Sequence, residues 1–215
     1  MLRKCRRRIY QTFVMPVYRR LRERWRRDTP SVICNNCFGG VFLHHLGCRF
    51  ESPFINLFLV PEDFVKLVAN WDKAVTAGLG NVSEVKNSGM PYPVGVIDSV
   101  GARVYFNHDT DFDVALDKWR ERVARIRPEK TIFMFTAAKG DAKVLKDFDS
   151  IDNPRKIAFA SEKCKGLGLK SLKIVKGWND DDPEYNMKGL TATFGIPYIQ
   201  SLSLLRMLSN LAGIR

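Results

Sequence analysis

The sequence predicts an α/β fold: a mixed, mostly parallel sheet with helices on both faces, preceded by a basic amphipathic N-terminal helix. Three observations predict it. Strand-sized apolar runs alternate with segments of helical periodicity. Several of those runs are almost wholly apolar, as strands covered on both faces are. The composition is ordinary for a globular chain, with 45% hydrophobic and 27% charged residues in 215, and that length buries a core without staples. A mainly disordered chain, a collagen-like chain and a simple coiled coil are excluded.

In chain order, a helical stripe comes first. Ile9, Tyr10, Phe13, Val14, Val17, Tyr18, Leu21 and Trp25 recur at spacings of three and four, which is one helical face. Pro16 interrupts the stripe and is expected to kink or split the helix. Thr29-Pro30 ends it. Residues 31–36 (SVICNN) read as a short buried strand followed by Gly39-Gly40, and 41–46 suit either a helical turn or a second strand. Residues 54–60 (FINLFLV) read as the next strand. Pro61-Glu62-Asp63 is a helix start, with proline near the first position and acids at the positive end of the dipole. Phe64, Leu67, Val68, Trp71 and Val75 mark that helix's buried face, and Gly78 stops it.

Residues 94–98 and 103–107 read as a hairpin through Ser99-Val100-Gly101, which would make the sheet mixed. Residues 111–127 carry the strongest helix pattern. Leu116, Trp119, Val123 and Ile126 share a face, acids lead, arginines trail and Pro128 ends it. A strand at 131–136, a helix at 141–148 and strands at 156–160 and 172–175 follow. An acidic, wet loop at 180–186 precedes a C-terminal helix at 201–211, with Leu202, Leu205, Leu208 and Leu211 at helical spacing.

The charge is concentrated. Residues 1–28 hold eleven basic and two acidic residues, a net of +9, leaving +3 of the total +12 for the other 187. The chain therefore divides into a basic amphipathic arm at 1–28 and one α/β domain at 29–215. Arginines opposite an aromatic and aliphatic stripe suit an anionic membrane surface. The same stripe could instead pack on the chain's own body. Nucleic acid is the least favoured partner, because the body is nearly balanced and lacks an aromatic-on-sheet pattern. The arm has no apolar stretch of a secretory signal, and no run reaches the length of a membrane span. The expected location is cytoplasmic, peripheral at the inner face of the membrane.

Cys5, Cys34, Cys37, Cys48 and Cys164 are odd in number in a long chain, so free thiols are expected. Cys34-x-x-Cys37 with His44, His45 and Cys48 has metal-ligand residue types. A strand would hold the two cysteines apart and no second pair exists, so neither metal nor cofactor is expected. The segment 35–40 carries more. A strand ending in polar residues and then glycines is where an open α/β sheet binds its ligand. Asn35 and Asn36 can hold hydroxyls or carbonyls, and Gly39 and Gly40 let a backbone come close. Exposed backbone N–H groups there can hold an anion. Cys37 is a candidate nucleophile and His108 its candidate base; a tight turn with a packed cysteine is the alternative. Arg122 and Arg125 are three apart on one helix and suit a phosphate or carboxylate, or else are solvated.

These segments, NNCFGG (35–40), SPFINLF (52–58), EDF (62–64), YPVG (92–95), FNH (106–108) and KWRERVARI (118–126), in this order resemble the bacterial "domain of unknown function 1919" family, often labelled exopolysaccharide biosynthesis protein. The resemblance spans about residues 31–165. It adds Ser52 and Tyr92 to the candidate substrate contacts, beside Asn35, Asn36, Cys37, Gly39, Gly40, His108, Arg122 and Arg125. Arg127-Pro128-Glu129 departs from the family pattern, which continues with a polar stretch there. The resemblance implies an α/β domain and a link to surface polysaccharide, and it implies no reaction. The expected role is a transferase or sugar-modifying enzyme of exopolysaccharide or capsule assembly, acting on a sugar-phosphate or nucleotide-sugar ligand. The alternative is a non-catalytic assembly factor of the same pathway.

Overall fold

A computed structural model describes residues 5, 8–182, 186, 189–192 and 195–214. Arg3, Lys4, Arg6 and Arg7 of the arm and residues 183–185 of the acidic loop lie outside the described residues. After a π-helical turn (Tyr10–Val14) come α1 (Met15–Arg27), β1 (Ser31–Cys34), α2 (Phe38–Leu46), α3 (Pro61–Ala69) and α4 (Trp71–Thr76). Then follow β2 (Val82–Glu84), β3 (Val94–Ile97), β4 (Ala102–Tyr105), α5 (Phe112–Val123) and β5 (Thr131–Thr136). The chain closes through α6 (Ala142–Ser150), β6 (Lys156–Ala160), β7 (Leu172–Ile174) and α7 (Leu202–Ala212).

The α/β class holds, with parallel and antiparallel strands divided between two sheets. β1, β5, β6 and β7 pair in that order, all parallel. Successive residues of each strand enter opposite cores, because side chains alternate across a pleated sheet. Ile33, Phe133, Phe135 and Ala158 face one core, where Phe64 of α3 lies 5.8 Å from Phe135 and 5.9 Å from Phe148 of α6 between ring centres. Val32, Cys34, Ile132, Met134 and Phe159 face the other, shared by α1, α2 and α7. Burial on both faces is why these strands read as unbroken apolar runs.

The hairpin forms as expected, but β3 and β4 pair with β2 in a separate antiparallel sheet rather than joining the main one. A Cβ on Gly95 would stand 2.4 Å from Val82 Cγ1, so the approach of β2 to β3 depends on that glycine. β2 escapes a hydrophobic pattern because two of its three residues are exposed. Phe54, Ile55, Leu57 and Leu59 are buried, but residues 54–60 do not form the expected strand. Asn56 takes a left-handed backbone, φ 58°, which breaks the alternation a ladder needs. The segment instead bridges the two sheets: Leu59 N donates to Asn35 O at 2.9 Å, and Phe58 pairs with Tyr105. The helix starting at Pro61 ends at Asn70 and restarts as α4. α5 ends at Val123, before the expected 127.

The arm divides at Pro16, which sits in the first turn of α1 after the π-helical turn. A proline there removes an N–H that the helix start leaves unpaired anyway. α1 is not free of the body. Tyr18 and Trp25 are buried, Trp25 Nε1 donates to Ser209 Oγ of α7 at 2.8 Å, and its ring meets Phe42 of α2 edge-on at 5.3 Å. Arg22 Nε donates to Leu46 O at 2.8 Å, satisfying a last-turn carbonyl of α2. The change of charge at residue 28 is therefore not a boundary in packing. Further toward the N-terminus, Phe13 is 71% exposed and Ile9 44%.

Candidate functional site

β1 stops at Cys34, and its carboxyl end is tied to the end of β5 by asparagine side chains. Asn35 Oδ1 accepts Thr136 N at 2.9 Å and Thr136 Oγ1 at 3.1 Å, and Asn35 Nδ2 donates to Thr136 O at 3.2 Å. Asn35 thus continues the β1–β5 ladder with a side chain. Asn36 Nδ2 donates to Thr136 Oγ1 at 2.6 Å, and its Oδ1 accepts Phe38 N at 3.0 Å. That second bond pairs a first-turn amide of α2 and fixes the turn carrying Cys37, the residue before the helix.

The glycines pack closely against their own chain. A Cβ on Gly39 would stand 3.0 Å from both Cys34 Cβ and Val32 Cγ1, and one on Gly40 would stand 3.3 Å from Ile55 Cγ2. Both residues are buried, and their bareness lets α2 lie against β1 and the 54–60 segment. The amides expected to cradle an anion have internal partners as well. Phe38 N is held by Asn36, and the Gly39 amide bonds to the Cys34 sulfur. Cys34 is fully buried, which pushes its thiol from 9.0 to about 11 despite those amides. It is a neutral thiol at any physiological pH and donates weakly to Asn36 Oδ1 at 3.6 Å.

Cys37 and His108 do meet: Sγ lies 3.5 Å from Nε2. They are 71 residues apart in sequence and come from different sheets. His108 follows β4 on a turn closed by Asp109 N donating to Phe106 O at 2.9 Å. Asp109 pairs with Lys118 of α5 at 2.5 Å, and Asp111 caps α5 by accepting Val114 N at 2.9 Å. The imidazole loop is thereby clamped to a helix. Cys37 is 8% exposed while His108 is exposed. Thiol and imidazole within reach of one another are the minimum for an activated nucleophile.

The arginines part company. Arg122 Nη1 donates to Ile55 O at 3.3 Å, beside the residue that packs on Gly40. Burial, then the neighbouring Arg125, lowers its pKa, while Asp109 acts in the opposite direction. Arg122 is therefore half-buried against the 54–60 segment. Arg125 turns to Glu121 at 3.4 Å, so the two do not present a joint fork. Ser52 is buried and its Oγ accepts Phe54 N at 3.1 Å, a turn contact. Tyr92 lines a separate cavity of about 410 Å³ with Glu84, Asp111 and Phe112. Among the described residues, no three His, Cys, Asp or Glu side chains are placed to hold a metal ion. None of the five cysteines, all of them described, is in a disulfide.

Thr136 and Asn56 were missing from the candidates. Thr136 had a signal: it is the polar end of the neighbouring parallel strand, and the strand-end rule applies to β5 as well as β1. Asn56 had a weaker one, a lone amide within an apolar run.

A family model described as a domain of unknown function, DUF1919, matches residues 8–209. A protein of Haemophilus influenzae (strain Rd), described as uncharacterized, is 30% identical over 163 residues, 75% of each chain.

Proposed function

The chain belongs to the DUF1919 family, and from that premise we propose that it is a group-transferring enzyme with Cys37 as nucleophile and His108 as base. The observation that carries this is the 3.5 Å approach of Cys37 Sγ to His108 Nε2 at the carboxyl end of a parallel strand. In such a step Nε2 takes the thiol proton, the sulfur bonds to the electrophilic carbon of the transferred group, and the leaving group departs with the proton from the imidazolium. The acceptor then displaces the sulfur, its own proton passing to Nε2, and the thiol is restored when that proton returns. We propose surface-polysaccharide assembly as the setting and a sugar phosphate or nucleotide sugar as the ligand. Support for the ligand is Arg122, a half-buried cation against the 54–60 segment. The setting rests on the sequence resemblance alone.

Cys37→Ala and His108→Ala are each expected to cut polysaccharide output by about 100-fold or more. The assay is a bacterial host whose own copy is deleted, with the thermal midpoint of each purified variant measured alongside. Full polymer from both folded variants overturns the enzyme reading. It would leave the non-catalytic assembly factor, which the internal use of the Phe38 and Gly39 amides favours.

Membrane docking at the inner face belongs to the same proposal. Phe13 and Ile9 lie four residues apart and are exposed beside Arg8, Arg19 and Arg20. No helix among the described residues is long and apolar enough to cross a membrane, so the expected mode is insertion of these two side chains at the interface. Phe13→Ser should lower flotation of the full chain with phosphatidylglycerol vesicles several-fold at constant salt. Unchanged flotation would rule out this contact.

A further inference from the structure

We propose that the groove between α7 and the edge strand β7 is a binding site for one phosphate-headed lipid, its chain on the groove floor and its phosphate among three cations at the rim. The inference does not depend on Cys37 or His108. The groove encloses about 1020 Å³, at the upper end of what small-molecule sites occupy. Its floor is apolar: Ile157 of β6, Val175 just after β7, and Met207 and Leu211 of α7. Its charged lining residues among those described are Arg155, Lys173 and Arg206, with no carboxylate of a described residue beside them. The three cations come from three different elements, the approach to β6, the middle of β7 and the outer ridge of α7. None makes an ion pair with a described residue, in a chain with 23 acids.

A second depression continues the same chemistry. It lies between α1 and α7 and is lined by Arg20, Arg24 and again Arg206, with no acid among the described lining residues. Arg206 lines a third, with Tyr10, Val14 and Leu202. One exposed arginine thus lines three hollows in which no described residue is acidic. An apolar floor with an all-cationic rim is complementary to an anionic amphiphile. Guanidinium forks on two sides fit phosphate oxygens, which accept paired N–H bonds. A free sugar phosphate would leave the apolar floor uncovered, and a neutral lipid would leave the cations unmatched.

The test is calorimetric titration of the full chain with dioctanoyl phosphatidic acid below its micelle concentration. Glycerol 3-phosphate and dioctanoyl phosphatidylcholine are the comparison ligands. Arg206→Gln/Lys173→Gln replaces two exposed side chains, so folding is expected to be unchanged, and a thermal melt verifies it. The expected result is binding of the phosphatidic acid, weakened tenfold or more by the double variant, with both comparison ligands weaker by at least that factor. Phe13→Ser should leave this binding unchanged, which separates the groove from vesicle docking by the arm. Equal affinity for glycerol 3-phosphate would reveal a simple anion site, and equal affinity for phosphatidylcholine a site indifferent to charge. Either result, unaltered binding by the double variant, or no binding by the full chain overturns the proposal.

Discussion

Trp25→Ala is expected to remove about 3–5 kcal/mol of unfolding free energy, the range for truncating a fully buried large aromatic. For a chain of this size that lowers the thermal midpoint by roughly 6–20 °C. The basis is the position of the indole, 0% exposed between α2 and α7, where it touches Phe42 and donates to Ser209. Truncation leaves a cavity that helices on three sides cannot close without moving. Trp25→Phe separates the ring from its N–H. Ser209 Oγ keeps its own bond to Leu205 O at 2.6 Å, so the phenylalanine variant should lose only about 1–2 kcal/mol. Thermal melts of the full chain, followed by circular dichroism, read both. A loss below 1 kcal/mol for the alanine variant would mean that α1 detaches in solution, and the whole arm would then be available to a partner.

That helix shows where sequence reading reached and where it stopped. The stripe from Ile9 to Trp25 was legible, because helical spacing survives whatever the helix packs on. What it packs on was not legible. An aromatic stripe opposite arginines has the same pattern on a membrane and on a protein face, and long Arg side chains snorkel in either case. Only the match of Trp25 to Ser209, 184 residues away, decides the matter for the C-terminal part. The parallel strands were legible for a similar reason. Their two-sided burial writes apolar runs directly into the chain, as in Thr131–Thr136. Residues 54–60 imitate such a run, yet Asn56 turns left-handed within it. That turn is set by what the segment must join, the end of β1 and Tyr105, and local composition does not record it.

The candidate site divides in the same way. Cys37 and His108 were paired as candidate nucleophile and base because each stands at the end of an element, and the fold brings them to 3.5 Å. Asn35, Asn36, Gly39 and Gly40 were placed at the strand end, where the fold gives each of them an internal contact as well. Amides and glycines suit a ligand and suit a tight strand–helix junction equally well. Thr136 completes their hydrogen bonds and the bare Cα atoms fit Val32, Cys34 and Ile55. The junction uses groups that would also suit a ligand. What it yields for function is a rigid turn that holds a thiol in one place.

Asn35 tests that role of the junction. In Asn35→Ala the buried Thr136 N and O both lose their side-chain partners. Leaving each unpaired costs about 1–3 kcal/mol, so the expected loss is roughly 2–6 kcal/mol. Asn35→Asp is the sharper variant because its defect should depend on pH. The carboxylate can still accept from Thr136 N, but it faces Thr136 O without a donor in a buried place, and burial raises a carboxyl pKa. With the folded pKa raised above the unfolded value of about 3.9, the neutral acid stabilises the fold fully below that value. The contribution is lost as pH rises through the folded pKa. The aspartate variant should therefore approach wild-type stability near pH 4 and fall away toward pH 7, measured as the difference from wild type in urea melts at each pH. A pH-independent deficit would show that Thr136 O finds another donor. A deficit that appears as predicted, together with slower alkylation of Cys37 by iodoacetamide in the still-folded variant, would show that the Asn35–Thr136 bonds hold the thiol where His108 can take its proton.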